Sequence, residues 1–198
     1  MHRVIEADPF MSAVPHLLTE ISAEDARAAG ELIAATWPKE ECGAAERAEQ
    51  LLQIGRDYQG PESLAPRSML VHEGDRVIAH ALAFARQVRI GDWEPTVLAL
   101  AMVATDREQR GKGLGAMVVK ACFDLVDEGI FPCSLFQTSF PVEKFYERLG
   151  ATRVENQIVN SLHSEDPQSN PFWDDLVMRY PAKADWPEGK VDLLGAGY

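Results

Sequence analysis

The sequence predicts a mixed α/β (α+β) fold in which helices flank a seven-stranded, mostly antiparallel sheet with one parallel pair of strands. Apolar runs separated by turn residues between 69 and 105 predict consecutive antiparallel strands. An amphipathic segment then leads into a further apolar run, and two strands joined through a helix are parallel. With 198 residues, 46% of them hydrophobic, the chain is long enough for a buried core, so we expect a single domain over residues 1–198.

The first third of the chain predicts one strand and two helices. Residues 16–21 are a short run of mixed apolar and polar side chains, which predicts a strand. Ser22 is a typical helix N-cap, because acidic residues follow it in the first turn, and Pro38 ends the helix that begins there. Residues 44–58 have the apolar spacing of a second amphipathic helix.

The middle of the chain predicts the antiparallel part of the sheet and the helical connection. Residues 69–72 and 76–84 form a predicted hairpin, whose second strand continues to residue 90. After a turn at Gly91, residues 93–105 form the fourth strand. A helix from Leu114 to the glycine at position 129 then leads to the fifth strand, which we expect to be parallel to the fourth.

The last third predicts one more helix, two strands and a tail. A helix begins at Pro141 and ends at Gly150, and strands follow at 152–159 and 176–180. Residues 181–198 have no clear period but carry large apolar side chains, namely Trp186, Leu193, Leu194 and Tyr198. We expect this tail to dock on the domain or on a partner subunit, since otherwise these groups would be exposed.

The composition limits the partners. A net charge of −12 and a pI near 4.8 argue against a nucleic-acid partner, which requires a basic face, and suit a cationic acceptor. Residues 1–9 lack the apolar stretch of a signal peptide, and no run is long enough to span a bilayer. We therefore predict a cytoplasmic protein without a membrane partner, either a monomer or a homodimer.

The cysteines predict neither disulfides nor a metal site. They are three in number and widely spaced, at Cys42, Cys122 and Cys133, without a C-x-x-C pair or a neighbouring histidine pair. Free thiols in a reducing compartment explain them, and no metal cofactor is expected.

A glycine-rich stretch between the fourth strand and the next helix is the main functional signal. Its residues are Arg110, Gly111, Lys112, Gly113, Leu114 and Gly115. Alternate glycines let a ligand approach the backbone, and the helix behind them supplies unpaired N–H groups and the positive end of its dipole. Arg110 and Lys112 add positive charge in an acidic chain, so the stretch predicts an anion site, most typically for phosphate.

Two other kinds of phosphate loop fit this stretch less well. A P-loop needs a lysine followed by Ser or Thr, whereas Gly113 follows Lys112 here. Residues 111–116 match the dinucleotide pattern G-x-G-x-x-A, but the next strand carries no acidic residue to bind a ribose. A dinucleotide-dependent oxidoreductase is therefore the weakest alternative.

The stretch Arg110-x-x-Gly113-x-Gly115 resembles the cofactor signature of the GCN5-related N-acetyltransferases (GNAT), and residues 145–151 resemble a second motif of that family, with Ala151 in place of its usual aromatic residue. The resemblance covers about residues 16–180. It implies a GNAT-like sheet that splays between the parallel fourth and fifth strands, where acetyl-coenzyme A would bind as co-substrate.

The resemblance also implies a role for individual residues. Residues 110–115 would hold the pyrophosphate of the cofactor, and Ser139 takes the position of a cofactor-contacting asparagine. Backbone groups of Val103 and Thr105 would pair with the pantetheine arm, with the Val103 N–H on the thioester oxygen. Tyr146 aligns with the general acid. The implied reaction is direct attack of a primary amine of a small molecule or peptide on the thioester, through a tetrahedral intermediate.

The chain departs from the family pattern in its general base. Members with a base on the fourth strand carry Glu or His at positions that fall here on Val97 and Ala99. Glu94, His80 and His72 are candidates, although each is more readily explained as a solvated or structural side chain. The missing base keeps a second function open, a sensor or regulatory module that binds acyl-coenzyme A without turnover.

Overall fold

The computed structural model describes residues 11–163, 165, 174–183 and 185–195. The first nine residues, where the sequence predicts no signal peptide, lie outside this range, as do most of the loop before the last predicted strand and the end of the tail with Tyr198. Among the residues described, no helix has the length and hydrophobicity needed to cross a membrane.

The fold is the predicted one, with helices flanking a mostly antiparallel sheet. The α-helices are α1 (Ala23–Thr36), α2 (Ala44–Asp57), α3 (Leu114–Asp127) and α4 (Glu143–Glu147). The strands are β1 (Val14–Leu17), β2 (Arg67–Glu73), β3 (Arg76–Gln87), β4 (Arg89–Ile90), β5 (Thr96–Thr105), β6 (Ser134–Thr138), β7 (Thr152–Arg153), β8 (Ile158–Val159), β9 (Leu176–Tyr180) and β10 (Val191–Asp192).

Seven of these strands form one sheet in the order β1-β2-β3-β5-β6-β9-β7. The pair β5 and β6 is parallel, with Leu98 opposite Ser134, which confirms the prediction made from the helix between them. The chain divides into two compact units, and the boundaries between them fall within β3 and β5 as well as near the end of α3.

The first unit comprises residues up to 84 together with 102–124. Here β1, β2 and the start of β3 form an antiparallel meander whose inner side chains, such as Leu70 and Ile78, are fully buried. Helices α1 and α2 touch through backbone, because a Cβ on Gly30 would lie 2.5 Å from the Ala44 carbonyl oxygen. Ser22 caps α1 as predicted, and its hydroxyl oxygen accepts the Asp25 N–H at 3.0 Å.

The second unit comprises residues 85–101 and those from 125 onward. In this unit β9 pairs with both β6 and β7, while β10 pairs with β4 and β8 in a separate three-stranded sheet. Its core is a cluster of branched apolar side chains that includes Val97, Leu135, Val177, Val191 and Leu193.

Several predicted strand boundaries were wrong for local physical reasons. The first strand ends at Leu17 because the chain turns at Leu18–Glu20 toward the cap of α1. The predicted fourth strand, which is β5, begins at Thr96 instead of residue 93, since Pro95 has no N–H to donate to a neighbouring strand. The strand predicted over 152–159 is two short strands, because residues 158–159 pair with β10 in the three-stranded sheet.

Candidate functional site

The glycine stretch lies where the sequence placed it, between the end of β5 and the start of α3. Gly111 and Gly113 adopt φ values of +82° and +83°, which L side chains rarely adopt. A Cβ at either position would meet no atom within 4 Å, so the space in front of this backbone is open. The two glycines therefore give both the turn and the close approach that a ligand of this loop needs.

The first turn of α3 supplies donors at the same place. The first helical hydrogen bond runs from the Met117 N–H to the Gly113 carbonyl, at 3.0 Å. The N–H groups of Leu114 and Gly115 precede that bond and have no acceptor within the helix. Leu114 is buried and anchors the turn, whereas Gly113 before it is exposed and Gly115 after it is half-buried. Such a terminus favours an anion.

The two cations of the turn differ in their surroundings. Arg110 is exposed. The Lys112 ammonium lies 2.5 Å from the Gln109 side-chain oxygen, and the Gln109 amide in turn donates to both carboxylate oxygens of Glu73 at 3.2 Å. Lys112 is therefore held beside the turn by a short polar chain, whereas Arg110 extends into solvent.

The end of β5 carries an irregular backbone. Met102 has φ of +50°, in the left-handed region that a non-glycine residue seldom occupies. Val103 and Thr105 after it are half-buried, and Ala104 between them is buried. The strand ends at Thr105, and the N–H of the next residue, Asp106, donates to the Ile78 carbonyl at 2.9 Å. Met102 was not among the residues that the sequence indicated.

The second unit carries the other predicted site residues. Tyr146 lies on α4 and is 6% exposed, with its ring 4.8 Å from that of Phe136 and 4.9 Å from that of Phe145, measured between centroids. Ser139 follows β6, is exposed, and accepts the Val142 N–H with its carbonyl oxygen at 3.1 Å. Phe145 and Tyr146 therefore pack as neighbouring aromatic rings on one short helix.

The candidate bases lie in three different environments. Glu94 pairs with Arg89 at 2.5 Å on the surface, and His72 lies 3.6 Å from Asp25, with its side chain 31% exposed. His80 is fully buried, and this burial lowers the pKa of its imidazole to about 4. Its protonation is therefore unfavourable at neutral pH, and both of its ring nitrogens already have partners, which argues against a role in accepting a substrate proton.

Neither buried thiol is a nucleophile. Burial raises the pKa of both thiols, that of Cys133 to about 12, so both are protonated at neutral pH. Cys42 is half-buried and unpaired with another cysteine. Within the described ranges, no three His, Cys, Asp or Glu side chains come together to hold a metal ion.

A mixed sheet with one parallel pair and a glycine turn ahead of the connecting helix together define an acetyltransferase-like fold. The sequence model of the acetyltransferase (GNAT) family matches residues 28–151, which is more than half of the chain, and the chain belongs to this family. No curated protein matches the chain.

Solved structures agree with this family at low sequence identity. A GNAT family N-acetyltransferase of Escherichia coli (YhbS), determined in complex with CoA, has a TM-score of 0.61 and 16% identity, over 97% of this chain and 98% of that one. Glucosamine-6-phosphate N-acetyltransferase from Arabidopsis thaliana has a TM-score of 0.56 and 16% identity, over 74% and 95%. A GCN5-related N-acetyltransferase from Kribbella flavida has a TM-score of 0.54 and 18% identity, over 72% and 33%, so this chain spans about a third of that protein.

Proposed function

We propose that this protein transfers the acetyl group of acetyl-coenzyme A to a primary amine of a small molecule or peptide. The observation that carries the proposal is the open glycine turn at Gly111 and Gly113 ahead of the α3 N-terminus, in a chain of the acetyltransferase family. A glycine backbone at a helix N-terminus, whose first N–H groups have no acceptor within the helix, suits the pyrophosphate of a coenzyme.

In this proposal the turn and β5 bind the coenzyme. The N–H groups of residues 111–115 hold the pyrophosphate, with Arg110 and Lys112 as the nearby cations. Backbone groups of Val103 and Thr105 pair with the pantetheine arm in the manner of an added strand, because both residues lie at the end of a strand and are only half-buried. Ser139 contributes a hydroxyl contact to the coenzyme.

The reaction needs an oxyanion donor and an acid. The amine nitrogen attacks the thioester carbon, and the carbonyl oxygen becomes an oxyanion that the Val103 N–H stabilises; one comparable donor is worth about 3 kcal/mol in other enzymes. Collapse of the tetrahedral intermediate breaks the C–S bond, and Tyr146 gives its proton to the leaving thiolate. The ammonium proton leaves through water or another side chain, and the products are the amide and coenzyme A.

A non-catalytic acyl-coenzyme A sensor is the second candidate function. It is favoured by the side chains of β5, where Val97 and Ala99 are fully buried and carry no group that accepts a proton. The burial of His80 further reduces the choice of bases. A sensor would bind the coenzyme through the same turn but would release no thiol with any amine.

Isothermal titration of acetyl-coenzyme A tests the binding step, with desulfo-coenzyme A, NADH and ATP as comparison ligands. We expect selective binding of both coenzyme A compounds and its loss in Gly113→Glu, which places a carboxylate and a strained side chain in the turn. Gly74→Glu is the matched control, since Gly74 also has a positive φ and an open Cβ position but lies in the β2–β3 turn. Equal binding by the two variants would contradict the assigned site.

Thiol release then separates the two functions. Acetyl-coenzyme A is mixed with a panel of primary amines and lysine-containing peptides, and free thiol is followed by a colorimetric reagent. Amine-dependent release that is lost in Gly113→Glu supports the enzyme. Binding without release over the whole panel supports the sensor.

A further inference from the structure

The irregular residue of β5 is held by a buried histidine on the neighbouring part of the same unit. His80 lies in the middle of β3 with no exposed surface, and its Nδ1 is 2.8 Å from the Met102 carbonyl oxygen. A carbonyl only accepts, so Nδ1 carries the hydrogen. Met102 is the residue with φ of +50° and directly precedes Val103.

The other ring nitrogen completes the arrangement. His80 Nε2 is 3.0 Å from the hydroxyl oxygen of Ser68, which is also fully buried. Because Nδ1 is the donor, neutral Nε2 is an acceptor and the hydroxyl donates to it. Burial lowers the pKa of the imidazole to about 4, which keeps this single tautomer neutral at physiological pH.

The geometry of the peptide group connects this histidine to Val103. The Met102 carbonyl and the Val103 N–H belong to one planar peptide unit and point in opposite directions. A bond that fixes the carbonyl therefore also fixes the direction of the N–H. It also polarises the peptide, because donation to a carbonyl strengthens the N–H of the same unit as a donor.

We propose that His80 is a positioning residue for acyl transfer. It binds the carbonyl of Met102, whose backbone is left-handed, and thereby orients the Val103 N–H. This inference rests on the proposed function in one respect, that the Val103 N–H donates a hydrogen bond to the thioester oxygen. The chain of donors runs from the Ser68 hydroxyl through the imidazole to the peptide of Met102 and Val103. His80 therefore acts on the reaction through the backbone and does not itself exchange a proton with the substrate.

The first test measures the amide itself, in ligand-free protein labelled with ¹⁵N-valine. The variants are His80→Leu, which removes both ring nitrogens, and His80→Asn, whose side-chain amide keeps a donor near the position of Nδ1. We expect His80→Leu to displace the Val103 amide signal and speed its hydrogen exchange by at least about tenfold, with His80→Asn close to wild type. His72→Leu, which changes a half-exposed histidine on β2, is the control.

The second test uses turnover with acetyl-coenzyme A and the best amine of the panel. We expect His80→Leu to lower kcat on the order of 100-fold, while the affinity for desulfo-coenzyme A changes by less than about threefold. His80→Asn should recover most of the loss. Adding Met102→Gly to His80→Leu should recover about tenfold, because glycine adopts a positive φ without strain.

The two tests fail in distinguishable ways. An unchanged Val103 amide in His80→Leu, or an equal loss of kcat in His80→Leu and His80→Asn, overturns the positioning role. If His80→Leu does not fold, His80→Asn still decides, because its retained donor should leave the Val103 amide signal close to that of the wild type and keep most of the wild-type kcat. A displaced Val103 signal in a folded His80→Asn overturns the positioning role. If the wild type neither binds acetyl-coenzyme A nor turns over, the proposed function fails, while the amide measurement still reports what His80 does.

Discussion

The Arg76 guanidinium lies 2.7 Å from Asp106 Oδ2, and this ion pair joins the start of β3 to the residue that follows β5. The other carboxylate oxygen of Asp106 accepts the Glu108 N–H at 2.9 Å and caps the short helical turn that leads into the glycine stretch. Asp106 therefore holds the entry to the turn by two different kinds of bond. The ion pair is the weaker of the two, because the Arg76 side chain is 60% exposed to water, whereas the side chain of Asp106 is only 18% exposed.

We expect Asp106→Ala to destabilise the protein by about 1–2 kcal/mol, since it removes a cap together with the ion pair. Arg76→Ala should cost less than about 1 kcal/mol, because the solvent-exposed charge is screened by water and salt. Urea unfolding at two salt concentrations checks both values. An equal cost for the two variants would mean that the ion pair, and not the cap, holds the turn.

Turnover in Tyr146→Phe tests the proposed acid. The substitution keeps the ring contacts with Phe136 and Phe145 and removes only the hydroxyl, so we expect kcat to fall by about 100-fold or more with the coenzyme affinity nearly unchanged. Tyr180→Phe is a matched control in the same unit, because the Tyr180 hydroxyl donates to the Asp127 carboxylate at 2.8 and 2.9 Å. A similar kcat in Tyr146→Phe and wild type would remove Tyr146 from the reaction.

The hydrogen bonds between Asn156 and the tail lead to a stability prediction. Its Nδ2 donates to the carbonyls of Pro187 and Gly189 at 3.1 and 2.7 Å, and its Oδ1 accepts the Trp186 indole N–H at 2.8 Å. Asn156→Ala leaves these groups without a partner, so we expect a loss of about 2–3 kcal/mol. Thermal unfolding followed by tryptophan fluorescence measures it, with Gln157→Ala at the exposed next position as the control. Equal melting temperatures would show that water replaces these bonds.

The fold and part of the candidate site could be predicted because their signals are local. The glycines at 111 and 113 permit the left-handed turn that the structure shows, and the amphipathic run after them predicts the parallel pairing of β5 and β6. The motif around Tyr146 is similarly contained in a few adjacent residues. These features depend on neighbours in the sequence, so the sequence alone predicts the turn and the parallel pair, while the role of Tyr146 stays a prediction.

Features that depend on distant partners could not be predicted. Met102 has no sequence signal for a positive φ, and its bond to His80 joins positions 22 residues apart through a side chain and a carbonyl. From the sequence, His80 was only a weak candidate for a base. The strand predicted over 152–159 was also wrong, because its second half pairs with β10, more than 30 residues away. Apolar alternation predicts a strand but not its partner.

The burial of His80 leads to a prediction for acid stability. Its pKa is lowered from 6.5 to about 4 in the folded state by removal from water, so between these values the unfolded chain binds the proton more readily. The stabilisation is complete above pH 6.5 and decreases as the pH falls toward 4. Lowering the pH from 7 to 4.5 should therefore reduce the free energy of unfolding through this residue, by about 2–3 kcal/mol.

Comparison with His80→Asn isolates this contribution, because the asparagine side chain does not titrate and every other ionisable group is kept. Urea unfolding of both proteins between pH 4.5 and 7.5 gives the difference in their free energies of unfolding. The free energy of unfolding of the wild type minus that of the variant should decrease as the pH falls, because only the wild type has a side chain at position 80 that binds a proton more readily in the unfolded chain. A difference that is constant over the whole range would mean that the unfolded and folded proteins bind the proton at position 80 equally well, and that the imidazole is not held neutral in the native structure.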